Sequence, residues 1–543
     1  MLKSIALTFS LVCLAVNSSL SLDAAPSDAA LPEWRVRKIE YENADAPGFP
    51  TLARESISIA TLDDLLIFRE GDMVDSLTLL EARWTLLGSG KFSDVQLELN
   101  EIAPREADVR IVVRDRPLPL PLPLIDIGGE QEDVGLTLVL PGLPFVAGRT
   151  RAGPIELSHW HSSENDMFHE TAAAVYTPLP AGLAARAAAY LTEYGDADSN
   201  STTFAWSAAL SLPYLSPYDR LSFGLRAQGD HGRAYDYRGP VAEIQDQRVQ
   251  VEAWINRAFV EEDRFFAGLL IGYMPQMEAD NQWRSAAEGS GYFLVGFSSL
   301  AQDFGSAFVD ADGKVTTPLG ARGNVAFGKF FPVGSNGEHF VYAGGSAASS
   351  AMINKKLYLY GMLGAGSGFR DGAARYTHLK TEGLGHLEVT ENLMLAGRIA
   401  QQTSWNWPAQ RQAVLDNHAG LRAFEANTLV ADNTLLATLE LRLNPLVGTR
   451  RLGLEAAAFY DAGVVWNLDQ QIADQRVHSA AGIGLRLHHD WLSGRDVLRL
   501  DLAWNMDTSE FGQIILSTRM PFSLFGSHEF ELPALIGAEF DRR

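Results

Sequence analysis

Most of this chain reads as a transmembrane antiparallel β-barrel of about 16 strands, preceded by a small α/β module. Three observations predict it. From Glu132 to Phe522 apolar and polar residues alternate with period two, segment after segment. Behind the N-terminus there is no run of about 18 apolar residues, so no membrane helix is expected. The first residues read as a secretory signal, which sends the mature chain out of the cytoplasm.

The elements follow in order. Residues 1–25 form the signal: Lys3 gives the positive start, Ile5 to Val16 the apolar core, and Ser21 to Ala25 small residues for cleavage. Residues 34–116 predict a β-α-α-β-β module. Trp34 to Glu42 is the first strand, and Leu62 to Phe68 a short helix ended by Glu70-Gly71-Asp72. A second helix follows Asp75-Ser76, with Leu77, Leu80, Trp84 and Leu87 on one face, and Gly88 and Gly90 stop it. Val95, Leu97 and Leu99, then Val109, Ile111 and Val113, alternate as two strands. Over 117–131 proline takes every second position from Pro117 to Pro123, which predicts a stiff, extended linker.

The barrel is expected over 132–522. Phe204, Trp206, Ala208, Leu210 and Leu212 share one face of a strand, as do Leu221, Phe223 and Leu225, then Ile483 and Leu485, then Leu498, Leu500, Leu502 and Trp504. The opposite faces carry Arg, Asp and Glu, as a wet lumen does, and aromatic residues gather near strand ends. A soluble sandwich or propeller is the alternative, but neither explains that division of charge, and no long repeat marks a propeller. Allowing ~24 residues per strand and turn gives about 16 strands. Phe522 is the expected aromatic end of the last strand, with 523–543 a tail behind it.

Composition excludes several functions. The 543 residues carry Lys+Arg 44 against Asp+Glu 67, a net charge of −23, which disfavours nucleic-acid binding. The single cysteine, Cys13, lies in the signal, leaving the mature chain no disulfide and no thiol nucleophile. His159-Trp160-His161 with His169-Glu170 is a weak metal candidate, better explained as interfacial aromatics and a hairpin. Asp310-Ala311-Asp312-Gly313 is a fragment of a calcium loop, better explained as a turn. No Gly-x-Ser-x-Gly, His-Glu-x-x-His or phosphate loop occurs, so neither an enzyme nor a cofactor is expected.

Two motifs near the end carry more. A polar loop over 404–433 holds Leu421-Arg422-Ala423-Phe424, and an alternating strand holds Phe459-Tyr460-Asp461-Ala462-Gly463. By pleat Glu455, Ala457, Phe459 and Asp461 share the polar side. Glu440 and Arg442 alternate likewise, as do Arg486, Arg499 and Asp501, all expected in the lumen.

These motifs resemble the inner lock of the BamA/TamA outer-membrane superfamily. The stretches Phe459 to Trp466, Ser479 to Arg486 and Leu498 to Ala503 are similar to its last strands in order. Gly71-Asp72, Leu86-Leu87, Gly90 to Val95 and Val109 to Val113 resemble its periplasmic POTRA domain. The resemblance implies that the loop folds into the lumen, where Arg422 pairs with Asp461 beside Phe459, with Phe424 completing the motif. Ala423 stands where the family has Gly.

The resemblance further implies protein insertion or polypeptide translocation at the outer membrane of a Gram-negative bacterium. The expected partners are outer-membrane lipids, β-rich client or secreted polypeptides taken by the POTRA-like module, and a lipoprotein accessory. A passive channel or surface receptor on the same fold is the alternative. A two-partner-secretion transporter and an outer-membrane hydrolase stand further back.

Overall fold

The computed structural model describes residues 33–43, 66–75 and 92–115, part of 78–86, and within 120–517 all but 129–130, 141–154, 163–166, 179–182, 196–199, 213–219, 237–241, 260–263, 276–288, 304–306, 311–312, 317–318, 335–338, 354–355, 391, 407–412, 450–451 and 490–496. The expected signal 1–25, Phe522 and the tail 523–543 lie outside the described residues. Two compact units divide the chain, Met1–Asp45 with Glu55–Asp115, and Arg116–Arg543 with Ala46–Arg54.

In the first unit a sheet runs in the order Met73–Val74, Trp34–Asn43, Glu106–Asp115, Phe92–Ala103. The central pair is parallel and the outer pairs antiparallel. The alternating Val95, Val109, Ile111 and Val113 turn to one core with Val36, Phe68 and Val74. Helical turns within 78–86 close that core with Ala82 and Leu86, and Leu79 packs beside them. The spacing is i, i+3, i+7, as on one face of a helix. The expected face of Leu77, Leu80, Trp84 and Leu87 lies outside the described residues. The sheet's exposed residues form ion pairs, Arg37 with Asp108 and Arg110 with Glu42 and Glu98. Such exposed pairs add little stability. The core decides, so Ile111→Ala should lower this unit's unfolding free energy by roughly 2–5 kcal/mol. Urea denaturation of the full chain, read by proteolysis within the unit, checks it.

The second unit is a closed antiparallel barrel of twenty strands, from Leu120–Gly128 to Glu510–Ser517. The count exceeds the expected 16 or so because several connections are very short: Leu357–Arg370 passes to Ala373–Thr390 through Asp371-Gly372, and Asn433–Thr449 to Leu452–Trp466 through residues 450–451. Two connections carry small hairpins, Ala307–Asp310 with Gly313–Thr316 and Ala413–Leu415 with Leu429–Ala431. Asp310 pairs with Gly313 across the calcium-like fragment, whose residues 311–312 lie outside the described residues.

The proline stretch corrects the expected linker. Leu120–Gly128 is the first barrel strand, in unbroken register with Gln131–Leu140. In an antiparallel strand, residues two apart turn their N–H to the same neighbour. The unbroken ladder takes its donors from the even positions, so Pro121 and Pro123 turn their donor-less nitrogens the other way. That way lies the closing strand Glu510–Ser517, which pairs Leu516 with Ile127 and Ser517 with Asp126 among the described residues. Alternating proline is thus compatible with a strand whose one neighbour supplies a full ladder.

The outer surface carries the predicted apolar faces: Phe204, Leu210, Phe223, Leu225, Ile483, Leu485, Leu500 and Trp504 are exposed. The inner wall has two characters, where a uniformly polar lumen was expected. On one arc Leu270, Tyr292, Leu294, Phe330 and Tyr342 form a buried cluster with Phe340 and Trp254 against it. Its rings stack, with centroids 5.0 Å apart for Tyr292 and Phe330 and 4.3 Å for Phe330 and Phe340. The Tyr292 hydroxyl donates to Glu252 at 2.6 Å, and Glu252 also binds Arg226. The other arc is ionic and receives the long loop.

Candidate functional site

The ionic arc is made by the strands Asn433–Thr449, Leu452–Trp466, His478–His489, Val497–Asn505 and Glu510–Ser517. Pleat and register assemble it. Thr438 lies opposite Asp461 and Glu440 opposite Phe459, Glu455 lies opposite Arg486, and Arg486 opposite Arg499. All of these side chains are buried on the inner face, together with Arg442 and Asp501.

The loop between Trp405 and Asn433 is shaped by Asp416. Its carboxylate accepts the backbone N–H of Ala419 at 2.9 Å and of Asn427 at 3.1 Å, and its carbonyl accepts those of Gly420 and Leu421. Gly420 takes a φ of 115°, open to glycine, and turns the chain toward the wall. Leu415 and Leu421 then pack with Leu436. Leu415 lies against the bare backbone of Gly463, the glycine of the Phe459 to Gly463 motif, where a Cβ would collide with it.

This positions Arg422, which has no exposed surface. Its Nε donates to Asp461 Oδ2 and its Nη2 to Asp461 Oδ1, both at 2.8 Å, a bidentate fork. Nη1 donates to Glu440 at 2.6 Å and reaches Asp501 at 3.5 Å. The guanidinium carbon stands 3.4 Å from the Phe459 ring centroid, in cation–π contact. Even the backbone N–H of Arg422 donates to Asp461, at 3.3 Å.

Around this centre Arg486 bridges Asp501 at 2.5 Å and Glu440 at 3.2 Å. Arg442 holds the second oxygen of Glu440 at 2.6 Å, and Arg499 stands 3.4 Å from Asp501. Four arginines (422, 442, 486, 499) meet four carboxylates (Glu440, Glu455, Asp461, Asp501) in one buried set. Balance matters because a buried charge without a counter-charge is costly, and removing one partner costs more than the pair contributes. Arginine suits the centre better than lysine: its planar fork serves two carboxylates and a ring at once.

Phe424 lies edge-on to His478 with centroids 5.5 Å apart. Ala423 is not among the residues with positive φ, so no glycine is required there. Its methyl instead occupies the space over Gly512, where any side chain would clash. Several contributors carried no signal in the sequence: Asp416, and Gln513, which donates to the carbonyls of Arg422 at 2.8 Å and Phe424 at 3.3 Å. Polar loop and strand residues of this kind are common, and only the fold makes these neighbours.

Of the histidine candidates, the His169 side chain lies outside the described residues. His159 contacts Thr171 at 2.9 Å on the outward side, whereas Trp160 and Thr192 donate to Glu170 on the inward side. Among the described residues no His, Cys, Asp and Glu group suits a metal.

The barrel thus closes around a loop that one arginine holds to its wall. The Omp85 superfamily domain matches residues 365–530, which hold the loop, the ionic arc and the closing strands. Over that stretch the likeness to BamA and TamA read in the sequence is shown. Among solved structures the chain is similar to BamA from Haemophilus ducreyi lacking POTRA domains 1–3, at 12% identity and a TM-score of 0.40, covering 89% of this chain and 84% of that one. It is similar to CdiB from Acinetobacter baumannii at 12% identity and 0.42, covering 89% and 73%. CdiB from Escherichia coli follows at 9% and 0.38, covering 91% and 92%. Among curated proteins there is no sequence match. The likeness to the family rests on the domain match over residues 365–530.

Two outcomes follow from the geometry. Arg422→Ala and Asp461→Ala should each destabilise the barrel, and the double variant should lose less than the sum, by roughly 0.5–3 kcal/mol. Thermal unfolding of the purified barrel reads this, and strictly additive losses would refute a shared contact. Gly463→Leu should push out Leu415 and expose the loop. Trypsin cleavage after Arg422, blocked in the parent by burial, should then become fast.

Proposed function

We propose that this protein inserts or translocates other polypeptides at the outer membrane of a Gram-negative bacterium. Insertion or translocation at that membrane is the family-level reading of the Omp85 domain over 365–530. The observation that carries the proposal to this chain is the fully buried Arg422, held by Asp461, Glu440 and Phe459. A passive pore gains nothing from filling part of its lumen with a bolted loop. A polypeptide-handling barrel gains a defined closed state.

The N-terminal unit fits the same role as a periplasmic POTRA-like module. Its strand Phe92–Ala103 pairs on one side only among the described residues, with Glu106–Asp115. An extended client can add to such an edge through its backbone. Inside a membrane every N–H and C=O needs a partner, so a client strand must be handed from one ladder to the next. The roles are then distinct. The edge captures, the barrel receives, and Arg422 with Asp461 acts as the loop lock. Phe424 and the lumenal residues Glu440, Arg442, Glu455, Arg486, Arg499 and Asp501 support that lock, and a lipoprotein accessory is a candidate partner.

The test compares outer-membrane and secreted proteomes of a strain lacking the gene, its parent, and complements carrying Arg422→Ala or a deletion of residues 34–115. Loss of one or a few β-rich proteins, restored by the parent gene and by neither variant, is expected. Unchanged proteomes with altered solute uptake would overturn the proposal in favour of a channel.

A further inference from the structure

Among the described residues, the outward side of the barrel wall has one charged side chain more than three residues from a strand end, Lys329. It lies on the strand Leu319–Val333, opposite Phe293 on one neighbour and Val341 on the other. By pleat it shares the outward side with Phe327 and Phe331, and all four of these apolar neighbours are exposed. Lys329 is exposed too, and its ammonium has no ion-pair, hydrogen-bond or ring partner among the described residues. Four residues separate it from Val333, which at about 3.4 Å per residue and a tilt of about 40° sets it roughly 10 Å below the strand's end. A charge on the lipid side of a barrel is destabilising, the more so the deeper it lies. Arg257, an outward cation at the opposite rim, is one residue from the end of its strand and lies over the Phe259 ring at 5.7 Å. Lys329 has neither the rim position nor the ring.

We infer that Lys329 is the docking point for an anionic lipid, and that its counter-charge is a phosphate of the glycolipid in the outer leaflet. An ionisable group facing the membrane marks a functional site whose partner must carry the opposite charge. Strands alternate in direction around the barrel, and Leu319–Val333 runs the same way as the first strand, Leu120–Gly128. Val333 therefore lies at the end away from Leu120, the end at which the loop after Trp405 leaves the wall. The inference rests on the proposed function for one thing only, the periplasmic place of the N-terminal unit, which puts that end at the cell surface. The lipid there is a phosphorylated disaccharide bearing several acyl chains. The flexible stem of Lys329 lets its ammonium rise to the headgroup, and a phosphate supplies the charge that the wall lacks. Phe293, Phe327, Phe331 and Val341 then lie where the acyl chains of the same molecule descend. His339, exposed and without a partner among the described residues, stands two residues nearer the rim than Val341 and offers the headgroup a second nitrogen.

Retention of defined lipids by the purified full chain tests it. Native mass spectrometry in detergent compares bisphosphorylated lipid A, its fully dephosphorylated form, and phosphatidylglycerol. The parent should retain the first above the other two. Lys329→Met should weaken that retention about five-fold, the weight of one basic side chain at a charged lipid surface. Lys329→Arg should restore it, and Arg257→Met should leave it at the parent's level. Parent-like retention by Lys329→Met would overturn the inference, as would equal retention of the dephosphorylated form. Phosphatidylglycerol held as well as lipid A would overturn the outer-leaflet source. The orientation taken from the proposed function is read separately. In the Cys13→Ser chain, Ala373→Cys, exposed at the same end of the barrel, should react with a membrane-impermeant maleimide on whole cells. No reaction there, with phosphate-dependent retention intact, would refute that orientation and the outer-leaflet source together, while Lys329 still held a lipid phosphate.

Discussion

One guanidinium organises the inner half of this barrel. All three guanidinium nitrogens of Arg422 donate to the wall, and the ring of Phe459 covers its face. Its position decides where the loop lies. The loop in turn decides which wall residues are dry, because Asp461, Glu440 and Asp501 are wholly buried beneath it. With the loop withdrawn, those three carboxylates and Glu455 would be left with only Arg442, Arg486 and Arg499 for company. The arrangement is therefore best seen as a two-state element. In the docked state all charges are matched; in the undocked state the wall carries an excess of negative charge that water must solvate.

The apolar arc around Tyr292 gives the lumen a second, different wall. Stacked rings there lie in a place where a simple pore is expected to be wet. The polar contacts among Tyr292, Glu252, Gln250 and Arg226 satisfy the Tyr292 hydroxyl and the Glu252 carboxylate beside this cluster.

How much of this was legible in the sequence depends on the range of the interaction. Alternation is local, so the inward and outward faces could be read directly, down to Glu455, Phe459 and Asp461 on one side of a strand. The loop arginine stood out through its resemblance to a known motif. The strand number did not, because a two-residue turn such as Asp371-Gly372 leaves almost no mark between two long strands. The prolines misled for a physical reason: a missing N–H looks like a missing strand, yet a strand needs donors only where a neighbour accepts them. Gln513 was invisible because its partner lies 91 residues away. The helix in the first unit shows the same limit at short range, where Leu79, Ala82 and Leu86 turn inward and nothing in the leucine-rich run singles them out.

The blunted edge of the first strand has a further consequence, for the protein's own biogenesis. Before closure, a twenty-stranded sheet would have two free margins, and two copies with matching margins could join edge to edge without end. Alternating proline makes one margin a poor template while leaving the other intact. A sheet with a single adhesive margin can at most find one companion, and its own opposite end is the nearest candidate. The same prolines would thereby steer the newborn sheet toward closing on itself rather than aggregating with its siblings.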